Sequence, residues 1–254
     1  MSRPVVSAIA GRFARLEPAS FRAVPIRGFV VAAGACVAFA APASAEVGAA
    51  VSVFTDSRFR GYSLSGGHPV ASVDVSYDSR DGFYAAVSGS ALVESGDVRA
   101  LAVQLNGGYA RRLSRQTAVD FGVVHSEYSR YSSASGSSYT EIYAGVTRKY
   151  LTGRLYFSPH YFNSDTWTTY GELNADVPIS RRLSFSGHAG LLVPLRTRDG
   201  GETRASHDWR IGLNHQFGPV SAHAAWTGGE RLRAYGIYGR RSRSALVIGL
   251  TTAL

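Results

Sequence analysis

From about residue 47 onward, small or apolar residues alternate with polar ones in segments of about ten. In segment 183–193, Leu183, Phe185, Gly187, Ala189, Leu191 and Val193 share one face, and Ser184, Ser186, His188 and Gly190 share the other. In segment 167–177, Trp167, Thr169, Gly171, Leu173, Ala175 and Val177 oppose Thr168, Tyr170, Glu172, Asn174 and Asp176. A period of two is the mark of a strand, because successive side chains point to opposite faces. Ten residues is also the length a tilted strand needs to cross a bilayer. Twelve such segments occur, with cores at 47–62, 68–77, 83–93, 99–111, 117–128, 139–149, 153–162, 167–177, 183–193, 206–217, 219–227 and 243–254. No helical periodicity competes with them, and no apolar run in this part of the chain is long enough for a transmembrane helix.

The connections sort by length. DSRDG (78–82), RLSRQ (112–116), YLTG (150–153), PISRR (178–182) and FGP (217–219) are short. SLSGGH, VESGD, SRYSSASGSS, NSDTW, RTRDGGETRAS and TGGERLRAYGIYGRRS tend to be longer and richer in glycine, serine and arginine, and they alternate with the short set. A sandwich with Greek-key connections has no reason to sort its loops in this way, whereas a barrel with tight turns on one side of a membrane and extended loops on the other does. The expected fold is therefore all-β, a transmembrane antiparallel β-barrel of about twelve strands with periplasmic termini. Aromatic placement sets its polarity. Tyr77, Phe83 and Tyr109 fall on apolar faces near the short turns, and Tyr161, Trp167 and Trp226 near the long loops. Two such girdles suit the two headgroup layers, so the apolar face points to lipid.

The amino end reads differently. Residues 28–45, GFVVAAGACVAFAAPASA, form an apolar run preceded by Arg22 and Arg27 and closed by Ala43-Ser44-Ala45. This is the pattern of a cleavable signal peptide over residues 1–45, with the barrel occupying 46–254 and export to the outer membrane of a Gram-negative bacterium as the destination. The stretch before the apolar run is long for such a signal, which points to a start at Val24. The single cysteine, Cys36, lies inside the signal, so the barrel region has neither a disulfide framework nor thiolate metal sites. Residues 1–45 hold five arginines and one glutamate, and without them 22 basic and 17 acidic residues remain, net +5. Lys149 is the only lysine. An arginine excess favours bidentate contact with carboxylate or phosphate, and in an exported chain nucleic acid is not an expected partner.

With the apolar face outward, charge within strands belongs to the lumen. In FTDSRFRGYS (54–63), read as the end of the first strand, Asp56, Arg58, Arg60 and Tyr62 share one face. Turned to lipid near the midplane, each charge would cost about 2–4 kcal/mol, so this face is assigned inward. The same parity places Asp74, Asp120, Glu141, Arg154, His160, Glu172, Asp176, His188, Asp208, Arg210 and His223 inside. Candidate pore-lining residues are Asp56, Arg58, Arg60, Glu141, Glu172, Asp176, Asp208 and Arg210, with Arg58, Arg60, Glu141 and Glu172 at the constriction. Opposed acidic and arginine ladders can orient a polar solute in a wet channel; the same groups can also pair across a narrow barrel and fill it. The arginines of the last loop and of RTRDGGETR make a basic rim, suited to the phosphates of surrounding lipopolysaccharide or to steering anions.

No catalytic site is expected. In VVHSEYS, Ser126 points opposite to His125 and Glu127, so a nucleophile and its base cannot meet within that strand. Nucleophile-elbow, zinc-helix and phosphate-loop motifs are missing from the sequence, and neither a cofactor nor a metal is implied.

FTDSRFRGYSLSGGHP, followed by GFYAAVSGS (82–90), YTEIYAGV (139–146), SPHYF (158–162), YGELNADVP (170–178), LSFSGHAG (183–190) and DWRIGL (208–213), resembles the TorF-type porin family over essentially the whole barrel region. The resemblance implies an outer-membrane barrel with a transport role, a passive diffusion channel for small polar or charged solutes. Its expected partners are outer-membrane lipid and lipopolysaccharide, the barrel-assembly machinery and the solutes themselves. A non-conducting structural or adhesin barrel and an outer-membrane lipid hydrolase are the alternatives. The chain departs from the family pattern at Ser57 and His125, where aromatic residues are usual, and in ending Thr252-Ala253-Leu254 without a terminal aromatic.

Overall fold

Alternation along each strand leaves two faces but does not say how the strands pair. The computed structural model describes residues 45–94, 97–129, 137–163, 165–196, 204–230 and 244–254. Among these, the strands are β1 (Ala45–Phe54), β2 (Arg58–Phe59), β3 (Tyr62–Ser63), β4 (Val70–Ser79), β5 (Phe83–Glu94), β6 (Asp97–Arg112) and β7 (Thr117–Tyr128), followed by β8 (Ser137–Arg148), β9 (Leu151–Ser158), β10 (Trp167–Pro178), β11 (Leu183–Arg196), β12 (Ser206–Phe217), β13 (Val220–Gly229) and β14 (Ser244–Ala253). All but β2 and β3 form one closed antiparallel barrel of twelve strands, with β1 paired to both β4 and β14. Each barrel strand pairs with its sequence neighbours, so every connection is a hairpin and no sheet edge is left open.

The two faces separate as the alternation requires. Val73, Val87, Leu105, Phe121, Ile142, Leu155, Leu173, Leu191, Ile211 and Ile248 are exposed on the outside, while Ser72, Asp74, Ser88, Asp120, Glu141, Arg154, Glu172 and Asp208 are buried inside. An exterior with this many exposed branched and aromatic residues is what a lipid solvent requires and what water would penalise. At the short-turn end Phe83, Tyr109 and Phe121 pack ring to ring at 5.2 and 5.6 Å. Toward the long-loop end Trp167 packs against Phe157 at 5.8 Å, and Trp226 is also half exposed. The short turns are tight. Gly82 has φ +97, and a Cβ there would lie 2.4 Å from the Ala110 carbonyl oxygen.

Two expected strands end early, and both departures place side chains in the lumen. Alternation predicts a first strand through residue 62, but β1 stops at Phe54 and the chain turns inward. The strand read as 153–162 stops at Ser158, followed by a 3-10 turn over Tyr161–Asn163 in which Phe162 has φ +52. Tyr161, expected in the outer aromatic girdle, is consequently fully buried. His160, expected in the lumen, is instead exposed beside Asp165 at 3.7 Å. In both places a turn breaks the period of two, and the parity argument fails beyond the break. The proposed signal segment, most of the last loop and the core of the serine-rich loop lie outside the described residues.

Leu173 sits mid-strand on the lipid face of β10, 52% exposed. Leu173→Arg is expected to destabilise the barrel by about 2–4 kcal/mol in reversible unfolding from lipid vesicles. Asn174→Arg, one residue on and facing the lumen, should cost far less; equal costs would contradict the assigned polarity.

Candidate functional site in the barrel lumen

Residues 55–69, between β1 and β4, fold into the barrel, where β2 and β3 pair as a small hairpin with Arg58 opposite Ser63 and Phe59 opposite Tyr62. Its two-residue tip is Arg60-Gly61, with φ +43 and +83. Positive φ at both positions is the signature of a type I′ turn, whose twist suits a hairpin. Glycine is the natural occupant of the second position; Arg60 adopts the same region at a steric cost that its contacts must offset.

The base of the hairpin is stapled by one carboxylate. Asp56 accepts from Arg58 Nε at 2.7 Å, from Ser63 Oγ at 2.5 Å and from Ser65 Oγ at 2.8 Å. Arg58 Nη1 donates to the Gly61 carbonyl at 3.0 Å. Asp56 and Arg58, expected on the wall of the lumen, therefore hold the hairpin together from within.

The tip spans the lumen. Gly61 lies against the backbone of β13, two places from β1 in the ring, where a Cβ would come within 2.8 Å of the Gly229 Cα. Arg60 reaches β8, next to β9, the strand diametrically opposite β1 in the ring. There Arg60 Nη2 donates to both carboxylate oxygens of Glu141, at 2.9 and 2.7 Å, and Nη1 donates to the Tyr161 hydroxyl at 2.7 Å. Its guanidinium carbon stands 3.9 Å from the Tyr170 ring centroid and 4.9 Å from that of Phe59. Charge-assisted bonds and cation–π contact in a desolvated site are each stronger than their exposed counterparts, and together they offset burial of the cation. Burial pushes the Tyr161 phenol well above its ordinary pKa range, so it remains a neutral partner. Phe59 packs among Tyr128, Tyr139 and Phe162 at 5.6–6.2 Å, which anchors the other side of the hairpin.

A second layer crosses the wall beside the tip. Arg154 Nε donates to Asp120 at 3.0 Å, its Nη1 lies 3.8 Å from Glu172, and Tyr156 donates to Glu172 at 3.1 Å. The register places Tyr143 opposite Tyr156, and Tyr156 opposite Tyr170, so three tyrosines form one row across β8, β9 and β10. Nearer β12, Asp208 accepts from the Tyr170 hydroxyl at 3.1 Å and lies 2.7 Å from His188 Nε2, while His188 Nδ1 is 2.8 Å from Asn174 Oδ1.

Of the eight expected lining residues, Arg60, Glu141, Glu172, Asp208 and Arg210 border a common cavity of about 70 Å³ beside the tip. Asp176 lies half-buried four residues along β10 from Glu172, toward the short turn, and does not border it. Sequence reasoning passed over Tyr139, Tyr156 and Tyr170, which also line this cavity. For Tyr156 and Tyr170 the signal was present, since each stands on the polar face of its strand. Tyr161 gave no such signal, because the turn that carries it inward breaks the alternation. Ser126 faces the lumen, fully buried, while His125 bonds Thr140 on the other face at 2.9 Å. Among the described residues no three His, Cys, Asp or Glu side chains converge as a metal site would require.

The fold and its lined interior define a membrane-type β-barrel with an inwardly folded first loop. A family model described as a bacterial protein of unknown function, Gcw_chp, matches residues 39–246, and the chain belongs to that family. Among solved structures, the NanC porin superposes with a TM-score of 0.53 at 15% identity, covering 81% of this chain and 100% of its own. The KdgM porin gives 0.47 at 9%, covering 82% and 98%. OprD from Pseudomonas aeruginosa gives 0.37 at 13%, covering 84% and 67%. At these identities the likeness concerns the fold alone. No curated protein sequence matches the chain.

Gly61→Val places a branched side chain where the backbone of β13 already stands, in a conformation that L-residues avoid. The hairpin is expected to leave its seat, so that trypsin cleaves after Arg58 or Arg60 in a barrel that still shows heat-modifiable gel migration. The wild-type hairpin should resist cleavage under the same conditions.

Proposed function

We propose that the chain is an outer-membrane channel for passive passage of small polar or charged solutes, with the hairpin tip setting its narrowest section. The observation that carries this reading is the interior itself. A twelve-stranded barrel is wide enough for a water-filled path, and here its lumen is lined with ionised and hydroxyl groups, where a barrel serving only as a scaffold could be filled with apolar side chains. Two spaces open along it, one of about 70 Å³ beside the tip and one of about 320 Å³ nearer the short turns, and both are bordered by Gln104 and Asn106. Arg60, Glu141, Glu172, Asp208 and Arg210 are the side chains a passing solute meets at the first. Asp56 and Arg58 act at one remove, by holding the hairpin in place.

The finer features of this reading follow the sequence. A signal peptide over residues 1–45 exports the chain, the barrel-assembly machinery inserts it, and the arginine-rich loops meet lipopolysaccharide phosphates. The TorF-type likeness is of the same kind and names a porin. One observation favours a second reading: the hairpin and its ion pairs reach across the lumen at Arg60, as a barrel that conducts nothing would also require. Nothing comparable favours lipid hydrolysis.

Single-channel recording of the refolded residues 46–254 in a planar bilayer separates the two readings. Discrete steps are expected, and Arg60→Ala, which frees Glu141 and the tip, should enlarge them. A correctly folded barrel that stays silent in both forms would favour the non-conducting reading.

A further inference from the structure

Charge inside the barrel is mostly matched. Arg58 pairs with Asp56, Arg60 with Glu141 and Arg154 with Asp120. Two buried carboxylates on β4 stand outside these pairs, Asp78 at the short-turn end and, farther along the strand, Asp74. Asp74 faces the lumen from β4 and is 6% exposed; its Oδ1 accepts from the Ser88 hydroxyl, and its Oδ2 has no hydrogen-bond partner. No ion pair with a described basic residue compensates it. A carboxylate removed from water and left unpaired is unfavourable unless a cation or solvent joins it.

The space beside it can accept such a partner. Asp74 borders the cavity of about 320 Å³ nearer the short turns, and no arginine, lysine or histidine is among the residues lining that cavity. This volume holds roughly ten waters at about 30 Å³ each, enough for a cation that keeps part of its hydration shell. Across β1, the residue opposite Asp74 is Ala50, which leaves room next to the carboxylate. On the other side the register runs Asp74, Ser88, Gln104, Ser126 in one row over β4 to β7, so hydroxyl and amide oxygens continue the line from the carboxylate. Oxygen donors around one negative charge are the ligand set of a hard cation or an ammonium group.

We propose that this chamber is a cation-binding subsite built on Asp74, taking a small alkali cation or the ammonium group of a solute. It extends the channel reading by giving the path a preference for positive charge on the short-turn side of the hairpin, opposite in sign to any anion steering by the arginine-rich loops. The site does not require that the barrel conduct, so it is tested without conductance. Sodium-23 line widths are measured with refolded barrel in non-ionic detergent. The wild-type protein should broaden the sodium line, Asp74→Asn should lose most of that broadening, and Asp74→Glu should keep it. Ala50→Leu, which fills the space beside the carboxylate without touching a charge, should lose it as well, and serves if Asp74→Asn does not fold. Narrowing of the wild-type line by added methylammonium supports a site shared with ammonium groups, and persistence of the broadening supports a site for alkali ions alone. Equal broadening by wild type, Asp74→Asn and Ala50→Leu would overturn the proposal, whether or not the protein forms channels.

Discussion

The constraint on which this structure depends is that a backbone in lipid must satisfy its own hydrogen bonds. A strand leaves its N–H and C=O groups to its neighbours, so in the bilayer a sheet is admissible only when it closes. Pairing of β1 with both β4 and β14 provides that closure. Once the ring is closed, alternation does the rest: most of the branched and aromatic side chains go outward to lipid, and most of the charged ones on the strands go inward. A charged interior is then a geometric consequence of a lipid exterior.

That interior has to be reconciled with burial. Ionised groups inside a ring of twelve strands are partly cut off from water, and such groups persist when each finds an opposite charge, a hydroxyl or an aromatic face. The inward hairpin supplies several of these partners at once. Its tip brings Arg60 to Glu141, Tyr161 and Tyr170 across the lumen, and its base consumes the charge of Asp56 internally. The hairpin thus reaches across the lumen and pairs several of its charges. The arginine at its tip is already held by a carboxylate and aromatic rings.

The charges of the lumen are not evenly spread. Near the tip, arginines and carboxylates face one another at hydrogen-bond distance, while toward the short turns Asp74 and Asp78 of β4 and Asp176 of β10 make the described charge mostly acidic. Under the proposed channel reading, a field that changes along the axis would favour solutes bearing both a charge and hydrogen-bonding groups over simple apolar ones.

Strand number, the faces of most strands and the side of the barrel on which loops are long could be read from the chain alone, because a period of two and the spacing of turns are local properties. Leu191, Leu173 and Glu172 point where alternation puts them for the same reason. The placement of Arg60 could not be read so far. Its inward direction followed from the cost of charge in lipid, but the route did not: residues 55–63 look like a strand continuing beyond Phe54, and only the turn at Arg60-Gly61 converts them into a hairpin. Alternation puts Tyr161 on the wrong face for a related reason, since the turn after Ser158 resets the parity. The sequence by itself determined which side of each strand meets lipid, through short-range periodicity and the cost of buried charge. Tertiary structure alone decided which luminal charges meet, because the partners of Arg60 are contributed by strands and turns about eighty and one hundred residues away and are brought together only when the ring closes.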